Sequence, residues 1–122
     1  MLEIREEQMR AFTVAAVHDL RVKLPSMLLE AMPDLARFVS PQELKEFADR
    51  SLNRAISYGF EFPRHIFIYV SLSALLGEDA LERNSRTRAL LTNKAMPANQ
   101  RSKGLMDEAK RLIEASQSSA TA

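Results

Sequence analysis

The sequence contains no cysteine and no tryptophan, and it has only three glycines and two histidines. Without cysteine the chain has neither disulfide bonds nor a thiolate that could act as metal ligand or nucleophile. None of the glycines falls in a phosphate-binding loop pattern. The histidines, His18 and His65, are isolated in the sequence, and neither belongs to a paired ligand motif. No nucleophile and base stand at a spacing that would pair them. We therefore predict a protein without metal, cofactor or enzymatic activity.

The chain also lacks a strong charge bias and a hydrophobic run of membrane length. Its 17 Lys and Arg residues balance 16 Asp and Glu residues, for a net charge of +1. The longest apolar stretch lies within residues 63–76 and falls short of the roughly 20 residues that a membrane span needs. The opening MLEIREEQMR is charged and mixed in sign, unlike a secretory signal peptide. We predict a cytoplasmic protein with no membrane segment.

The most distinctive stretch runs from Pro63 to Leu76 and contains the longest succession of apolar side chains in the sequence. Its HIFIYV segment is also typical of a strand. The length favours a helix, since strands usually span about 4–8 residues. Pro63 suits a first helical turn and Gly77 suits the position just after a last one. A helix that is apolar on nearly all sides must be buried on nearly all sides, so a charge at Ile68 should unfold the protein.

Amphipathic spacing predicts a first helix over residues 3–24. Pro25 should kink that helix or make it restart, because proline removes a backbone donor and clashes with the preceding turn. Residues 35–39 should then form a short helical turn that presents Leu35, Phe38 and Val39 to the core.

A capping box begins the next helix, with Ser40 as the N-cap and Glu43 three residues later. Gly59 should end that helix in a left-handed conformation. A weaker helix over residues 85–94 and an amphipathic helix over residues 98–115 complete the series. The sequence thus predicts an all-α fold, a compact bundle of about five helices around the buried central helix 63–76. Residues 1–115 should form a single domain, and residues 116–122 a disordered tail.

The two parts of the chain differ in charge. Residues 1–81 carry nine basic and twelve acidic residues, whereas residues 82–122 carry eight and four. A basic segment of this kind suggests contact with an acidic partner surface. Within this basic segment we predict that Arg86, Arg88, Arg101 and Lys103 bind the partner. The basic run contains no aromatic residue on which bases could stack, so we do not expect a nucleic-acid partner.

Tyr69 is a further candidate for partner binding. Its side chain has an apolar body and a polar tip, which suits the rim of an interface. It equally suits a buried hydroxyl group with a hydrogen-bond partner, and the two alternatives stay open.

The order of these signals resembles a family of small bacterial proteins encoded beside type VI secretion spike and effector proteins. The family shows an I-x-x-x-Q-M start, a Phe-Pro-like end to the first long helix, and R-A-x-x-Y-G followed by a helix ending in Leu-Gly. The matching positions within residues 2–80 are Ile4, Gln8, Met9, Pro33, Arg54, Ala55, Tyr58, Gly59, Tyr69, Leu72, Leu76 and Gly77. The chain departs from the family after Gly77, where the family often has a Pro-Trp pair and this chain reads ALERNSRTRALL.

The resemblance implies an adaptor or co-chaperone that holds or loads a larger secretion effector without chemistry of its own. Two alternatives from other classes are an immunity protein that neutralises a toxin by direct binding and a small nucleic-acid-binding regulator. Whether the chain forms homo-oligomers is left open.

Overall fold

A computed structural model describes the backbone of residues 6–121 and the side chains of residues 15–116. The described part of the chain folds into six α-helices and one 3-10 helix, Pro33–Arg37, and contains no strand. The α-helices are α1 (Glu6–Ala31), α2 (Pro41–Ser57), α3 (Pro63–Leu76), α4 (Ala80–Arg83), α5 (Ser85–Thr92) and α6 (Ala98–Thr121). The predicted all-α class is confirmed. The short α4 was not among the helices predicted from the sequence.

Helix α3 has the predicted bounds, and Gly77 follows it with a φ of 110°. It packs against α1, α2, α4 and α6. Ile66 and Val70 are fully buried in the core. The expectation of burial on nearly all sides is wrong, because Leu75 is 54% exposed and Ile68 is half-buried. The neighbouring helices thus leave part of the circumference of α3 uncovered.

Helix α1 runs through Pro25 as one element, so the restart that proline suggested does not occur. A proline inside a helix costs about 3 kcal/mol. Leu24 and Leu28 on either side of it are fully buried, and each such leucine contributes roughly 1.5–3 kcal/mol. Packing of the apolar face therefore offsets the cost of the proline.

The 3-10 helix corresponds to the short turn predicted over residues 35–39. Leu35 and Val39 pack against the core, as expected. Phe38 does not pack against the core, since the residue is 79% exposed. In a tight turn only part of the circumference can face the core, and here Phe38 lies on the outer part.

Helix α2 begins and ends as the sequence predicts. The Ser40 hydroxyl accepts a hydrogen bond from the Glu43 backbone N–H at 3.1 Å, and the Glu43 carboxylate accepts one from the Ser40 N–H at 3.5 Å. Gly59, with a φ of 91°, donates to the Ile56 carbonyl, while the next N–H reaches back to the carbonyl of Ala55. These two bonds form a Schellman motif.

Helix α6 is longer than predicted, because its backbone is helical through Thr121 rather than ending near Ala115. Residues 116–121 were expected to be disordered, but they contain no proline or glycine to stop the helix. Gly104 serves the packing of α5 on α6. A Cβ atom placed there would lie 2.9 Å from Leu90 Cδ1, so glycine allows the two helices to approach closely.

Among the described residues, no helix combines the length and the apolar character needed to cross a bilayer.

Candidate binding cleft

A cleft of about 410 Å³ lies between the beginning of α3 and the first half of α6. Its size falls within the roughly 300–1,000 Å³ typical of ligand sites. It is lined by apolar, polar and basic side chains, namely Arg64, His65, Ile68, Asn99, Ser102, Lys103 and Met106. The cleft therefore combines groups that can bury apolar surface with groups that can bind an anion.

Helical periodicity brings these side chains to one place. On α6, Asn99, Ser102 and Met106 are separated by three and four residues, so they share one face of the helix. On α3, Arg64 and Ile68 are four residues apart and line the opposite wall. The packing of α3 against α6 then closes the two faces around the cleft.

A buried histidine–serine pair joins the two walls. The Nδ1 atom of His65 lies 3.0 Å from the Oγ atom of Ser102. His65 is 8% exposed and Ser102 is 3% exposed. Burial lowers the pKa of His65, and the nearby charges of Arg64 and Arg101 lower it further, while Asn99 acts in the opposite direction through a hydrogen bond. The ring is therefore neutral near pH 7, and in the tautomer that carries its proton on Nε2 the Ser102 hydroxyl donates to Nδ1.

Two exposed apolar side chains flank this pair. Phe62, in the connector before α3, is 60% exposed, and its ring centre lies 6.2 Å from that of His65 in an edge-on arrangement. Met106 on α6 is 42% exposed and lines the cleft. A flexible methionine beside an aromatic ring is a combination that suits an adaptable contact surface.

The charges around the cleft are positive. Arg64 and Lys103 stand exposed at its walls. Arg101 lies behind it, 4% exposed, and donates from one guanidinium nitrogen to the carbonyls of Tyr58 at 2.8 Å and Leu91 at 3.2 Å. Burial lowers the pKa of Arg101, but a guanidinium group keeps its charge at neutral pH.

None of the described groups to which Arg101 donates a hydrogen bond is a carboxylate. Its guanidinium carbon lies 4.4 Å from the centre of the Phe60 ring, close enough for a cation–π interaction. Its Nε atom is buried and has no hydrogen-bond partner among the described groups. A positive charge is thus fixed inside the protein near the cleft, because neutral groups hold it.

The position of Arg101 differs from the one expected from the sequence. We predicted a side chain at the rim of a partner surface, and the structure places it in the interior, where it joins α6 to the carbonyl groups at the ends of α2 and α5. The sequence signal was misleading because arginine is mostly exposed.

Tyr69 lies in the interior as well, with 1% of its surface exposed. Its hydroxyl donates to the carboxylate of Glu82, which also accepts a hydrogen bond from Tyr58 at 3.3 Å. Burial and the adjacent Glu82 raise the pKa of the Tyr69 hydroxyl. This arrangement agrees with the buried-hydroxyl alternative and removes Tyr69 from the accessible surface.

The remaining basic candidates lie on two different flanks of α6. Lys103 lines the cleft. Arg86, on α5, forms an ion pair with Glu108 of α6 at 3.2 Å, in which the arginine is exposed and the carboxylate is largely covered. Arg88 is also exposed. Because each helical residue turns the chain by about 100°, Glu108 points roughly 140° away from Lys103. The four basic candidates therefore do not form one continuous rim.

A second, smaller groove of about 140 Å³ lies between the 3-10 helix, α2 and α3. Its walls include Val39, Phe47 and Ala74. Its one acidic side chain, Glu78, is held by Arg50 at 2.9 Å. The α3–α6 cleft offers more polar groups that converge on one point, so it is the stronger candidate site.

Sequence reasoning missed Arg64, His65, Ser102 and Met106 as a group. The spacing of Ser102 and Met106 on one helical face could have been noticed. Their pairing with His65 could not, because 37 residues separate His65 from Ser102 and periodicity does not tell which helices pack together.

Within the described residues, no cluster of three or more His, Cys, Asp or Glu side chains is arranged to hold a metal ion. Comparison of the chain with protein-family models, with curated proteins and with solved structures found no match. Of the positions that carry the family resemblance, Ile4, Gln8 and Met9 lie outside the residues whose side chains are described.

Proposed function

We propose that this chain is a non-catalytic protein-interaction module whose α3–α6 cleft binds an acidic, amphipathic segment of a larger protein. The observation that carries the proposal is the composition of the cleft. Exposed Phe62 and Met106 stand beside the basic side chains Arg64 and Lys103, around a polar floor. Interfaces are enriched in aromatic residues, methionine and arginine at their centres. This cleft is lined by a methionine and an arginine, and the exposed Phe62 ring lies 6.2 Å from the ring of His65 beside it.

Charge complementarity supports an acidic occupant. The charged side chains that line the cleft are both positive, and the buried guanidinium of Arg101 adds to the local potential, as its effect on the pKa of His65 indicates. A carboxylate entering the cleft would gain favourable Coulomb energy, whereas a basic segment would be repelled. The half-buried Ile68 and the exposed Met106 would receive the apolar side of the same segment, in the manner of a helix in a groove.

The histidine–serine pair acts, on this proposal, as part of the binding surface. A serine next to a histidine also serves as an activated nucleophile in hydrolases. Attack by the serine oxygen would pass its proton to His65, and the charges of Arg64 and Arg101 disfavour the imidazolium that would result. The positive surroundings of the ring favour a positioning and hydrogen-bonding role for the pair.

The wider role that we propose is that of an adaptor or co-chaperone in the delivery of a bacterial secretion effector, in the cytoplasm. The family resemblance over residues 2–80 supports this setting. The basic cleft supports the general mode of action, because an adaptor of this kind holds its client by surface contact. An immunity protein would use the same kind of contact, with a toxin domain as its partner.

A paired set of charge reversals tests the proposal. The full-length chain is tagged and used to capture partners from the source cell, with and without nuclease treatment, and a captured protein is then purified and titrated against the chain. We expect Arg64→Glu together with Lys103→Glu to weaken binding by at least about 100-fold, since two favourable contacts become repulsive. Arg86→Glu together with Arg88→Glu serves as the matched control on the other flank of α6.

Three outcomes would overturn the proposal. Loss of binding in the Arg86/Arg88 variant, with retention in the Arg64/Lys103 variant, would move the interface to α5. Recovery of nucleic acid that disappears on nuclease treatment would favour the regulator class. Turnover of a substrate by the purified chain would replace the non-catalytic role. Circular dichroism of each variant verifies that the fold is intact.

A further inference from the structure

Of the described residues that line the cleft, His65 is the one that can change its charge near neutral pH. The charged groups that face it from the described part of the chain are positive. Arg64 precedes it on α3, and Arg101 and Lys103 come from α6, which packs against it. The connector before α3 contributes uncharged aromatic rings, those of Phe60 and Phe62. These surroundings therefore favour the neutral imidazole.

A carboxylate in the cleft would reverse this preference. An opposite charge within about 4–6 Å of a titratable group favours its charged form. A carboxylate seated between Arg64 and Lys103 would lie beside His65, because all three residues line the same cleft. It would also offset the two arginine charges that disfavour protonation in its absence.

The contact with Ser102 provides a route by which the added proton strengthens binding. In the neutral tautomer that carries its proton on Nε2, the serine hydroxyl donates to Nδ1 across 3.0 Å. When Nδ1 takes a proton from solvent, it becomes a donor and the serine oxygen becomes its acceptor. The serine hydrogen is then free to turn toward the cleft and donate to a carboxylate oxygen. One proton is taken up, and no covalent bond other than N–H is made.

We infer that the acidic segment bound in the α3–α6 cleft is bound together with one proton, taken up by His65, so that the partner is held more tightly as the pH falls. The inference rests on the proposed binding role of the cleft. It assigns His65 and Ser102 as a proton-linked recognition pair for a carboxylate. The affinity should be nearly constant above the pKa of the bound state and should rise as the pH falls through it. For a pKa raised by one, the total gain is about tenfold.

Isothermal titration calorimetry measures the proton directly. The probe is a synthetic amphipathic peptide of leucine, alanine and glutamate in helical spacing, and its control has lysine in place of glutamate. Titrations at about pH 6 and about pH 8, each in two buffers of different ionisation enthalpy, give the affinity and the number of protons taken up. We expect the glutamate peptide to bind several-fold more tightly at the lower pH, with net proton uptake, and the lysine peptide to bind at neither pH.

Two variants separate the roles of the pair. His65→Gln keeps a side chain that can hydrogen-bond with Ser102 but removes the titration, so the proton uptake should disappear and the affinity should become independent of pH. Ser102→Ala keeps the titrating ring and removes the hydroxyl, so binding should weaken and remain pH-dependent. If His65 had only a structural role, both substitutions would change the stability of the protein. The number of protons taken up on binding would then be the same in His65→Gln as in the wild-type chain.

A measurement on the wild-type chain keeps the inference testable even where a variant fails to fold. The imidazole resonances of His65 are followed by NMR through a pH titration, with and without the glutamate peptide, and the exposed His18 supplies a second histidine for comparison. The titration midpoint of His65 should move upward when the peptide is bound.

The possible failures are distinguishable. If the glutamate peptide does not bind, or binds equally well to the Arg64/Lys103 charge-reversal variant, both the proposed function and the present inference are overturned. If it binds in the cleft without proton uptake, or if uptake persists in His65→Gln, the proposed function stands and the inference is wrong.

Discussion

Replacement of Arg101 by lysine is the most informative single test of the interior of this protein. The change keeps the positive charge, so any long-range attraction for an acidic partner is preserved. It removes the Nη1 nitrogen that donates to the carbonyls of Tyr58 at 2.8 Å and Leu91 at 3.2 Å, because a lysine side chain ends one atom earlier than an arginine side chain. It also removes the flat surface that lies 4.4 Å from the Phe60 ring centre.

The expected loss follows from these contacts. A hydrogen bond to a charged group contributes about 1.5–3 kcal/mol, and the shorter lysine side chain is expected to lose at least one of the two carbonyls. The stacking on Phe60 adds about 0.5–1 kcal/mol. Both side chains bear the cost of burying a charge, so that term largely cancels. We expect Arg101→Lys to lower the free energy of unfolding by about 2–4 kcal/mol.

Urea denaturation followed by circular dichroism measures this change. With a urea dependence of about 2 kcal/mol per molar, a loss of 3 kcal/mol moves the midpoint by roughly 1.5 M. Arg88→Lys on the exposed side of α5 is the control and should change stability by less than about 0.5 kcal/mol. A variant Arg101→Lys that unfolds at the wild-type midpoint would refute the reasoning and return Arg101 to the surface role expected from the sequence.

Two further predictions test the central helix and the start of α2. Ile66→Asp should abolish the fold, because it places an unpaired charge where the side chain is fully buried. Ile68→Asp should fold, since the side chain of Ile68 is half-buried and borders the cleft. Comparable thermal melts for the two variants would contradict the assigned faces of the helix. Ser40→Ala should cost about 1 kcal/mol by removing the N-cap acceptor, which differential scanning calorimetry would register as a fall in melting temperature of roughly 3–6 °C, and an equal fall for the exposed Ser116→Ala would show that the cap is not responsible.

Local signals explain why much of the fold could be predicted from the sequence. The capping box at Ser40, the left-handed Gly59 and the Pro63–Gly77 pair each involve a few neighbouring residues, and the structure confirms all of them. Pro25 is the instructive failure among local signals, because the burial of leucines on both sides of it depends on the rest of the fold.

The site could not be predicted in the same way. The sequence places His65 and Ser102 on separate helices 37 residues apart, and their contact depends on how α3 and α6 pack. Arg101 was assigned to the surface because of its charge. In the structure one nitrogen of its guanidinium group donates to two backbone carbonyls, and no sequence pattern reveals these contacts. Lys103 alone among the predicted binding residues lines the cleft.

The dual use of α6 has a consequence for the lifetime of the protein. The helix forms one wall of the cleft. It is also hydrogen-bonded through Arg101 to the end of α2 and through Ser102 to α3. On the proposed binding mode, a segment in the cleft would secure α6 against local opening. A ligand present at 100 times its dissociation constant stabilises the bound form by about 2.7 kcal/mol. Copies without a partner would therefore release α6 more often and be cut first by proteases, so that the amount of this protein would follow the amount of its partner.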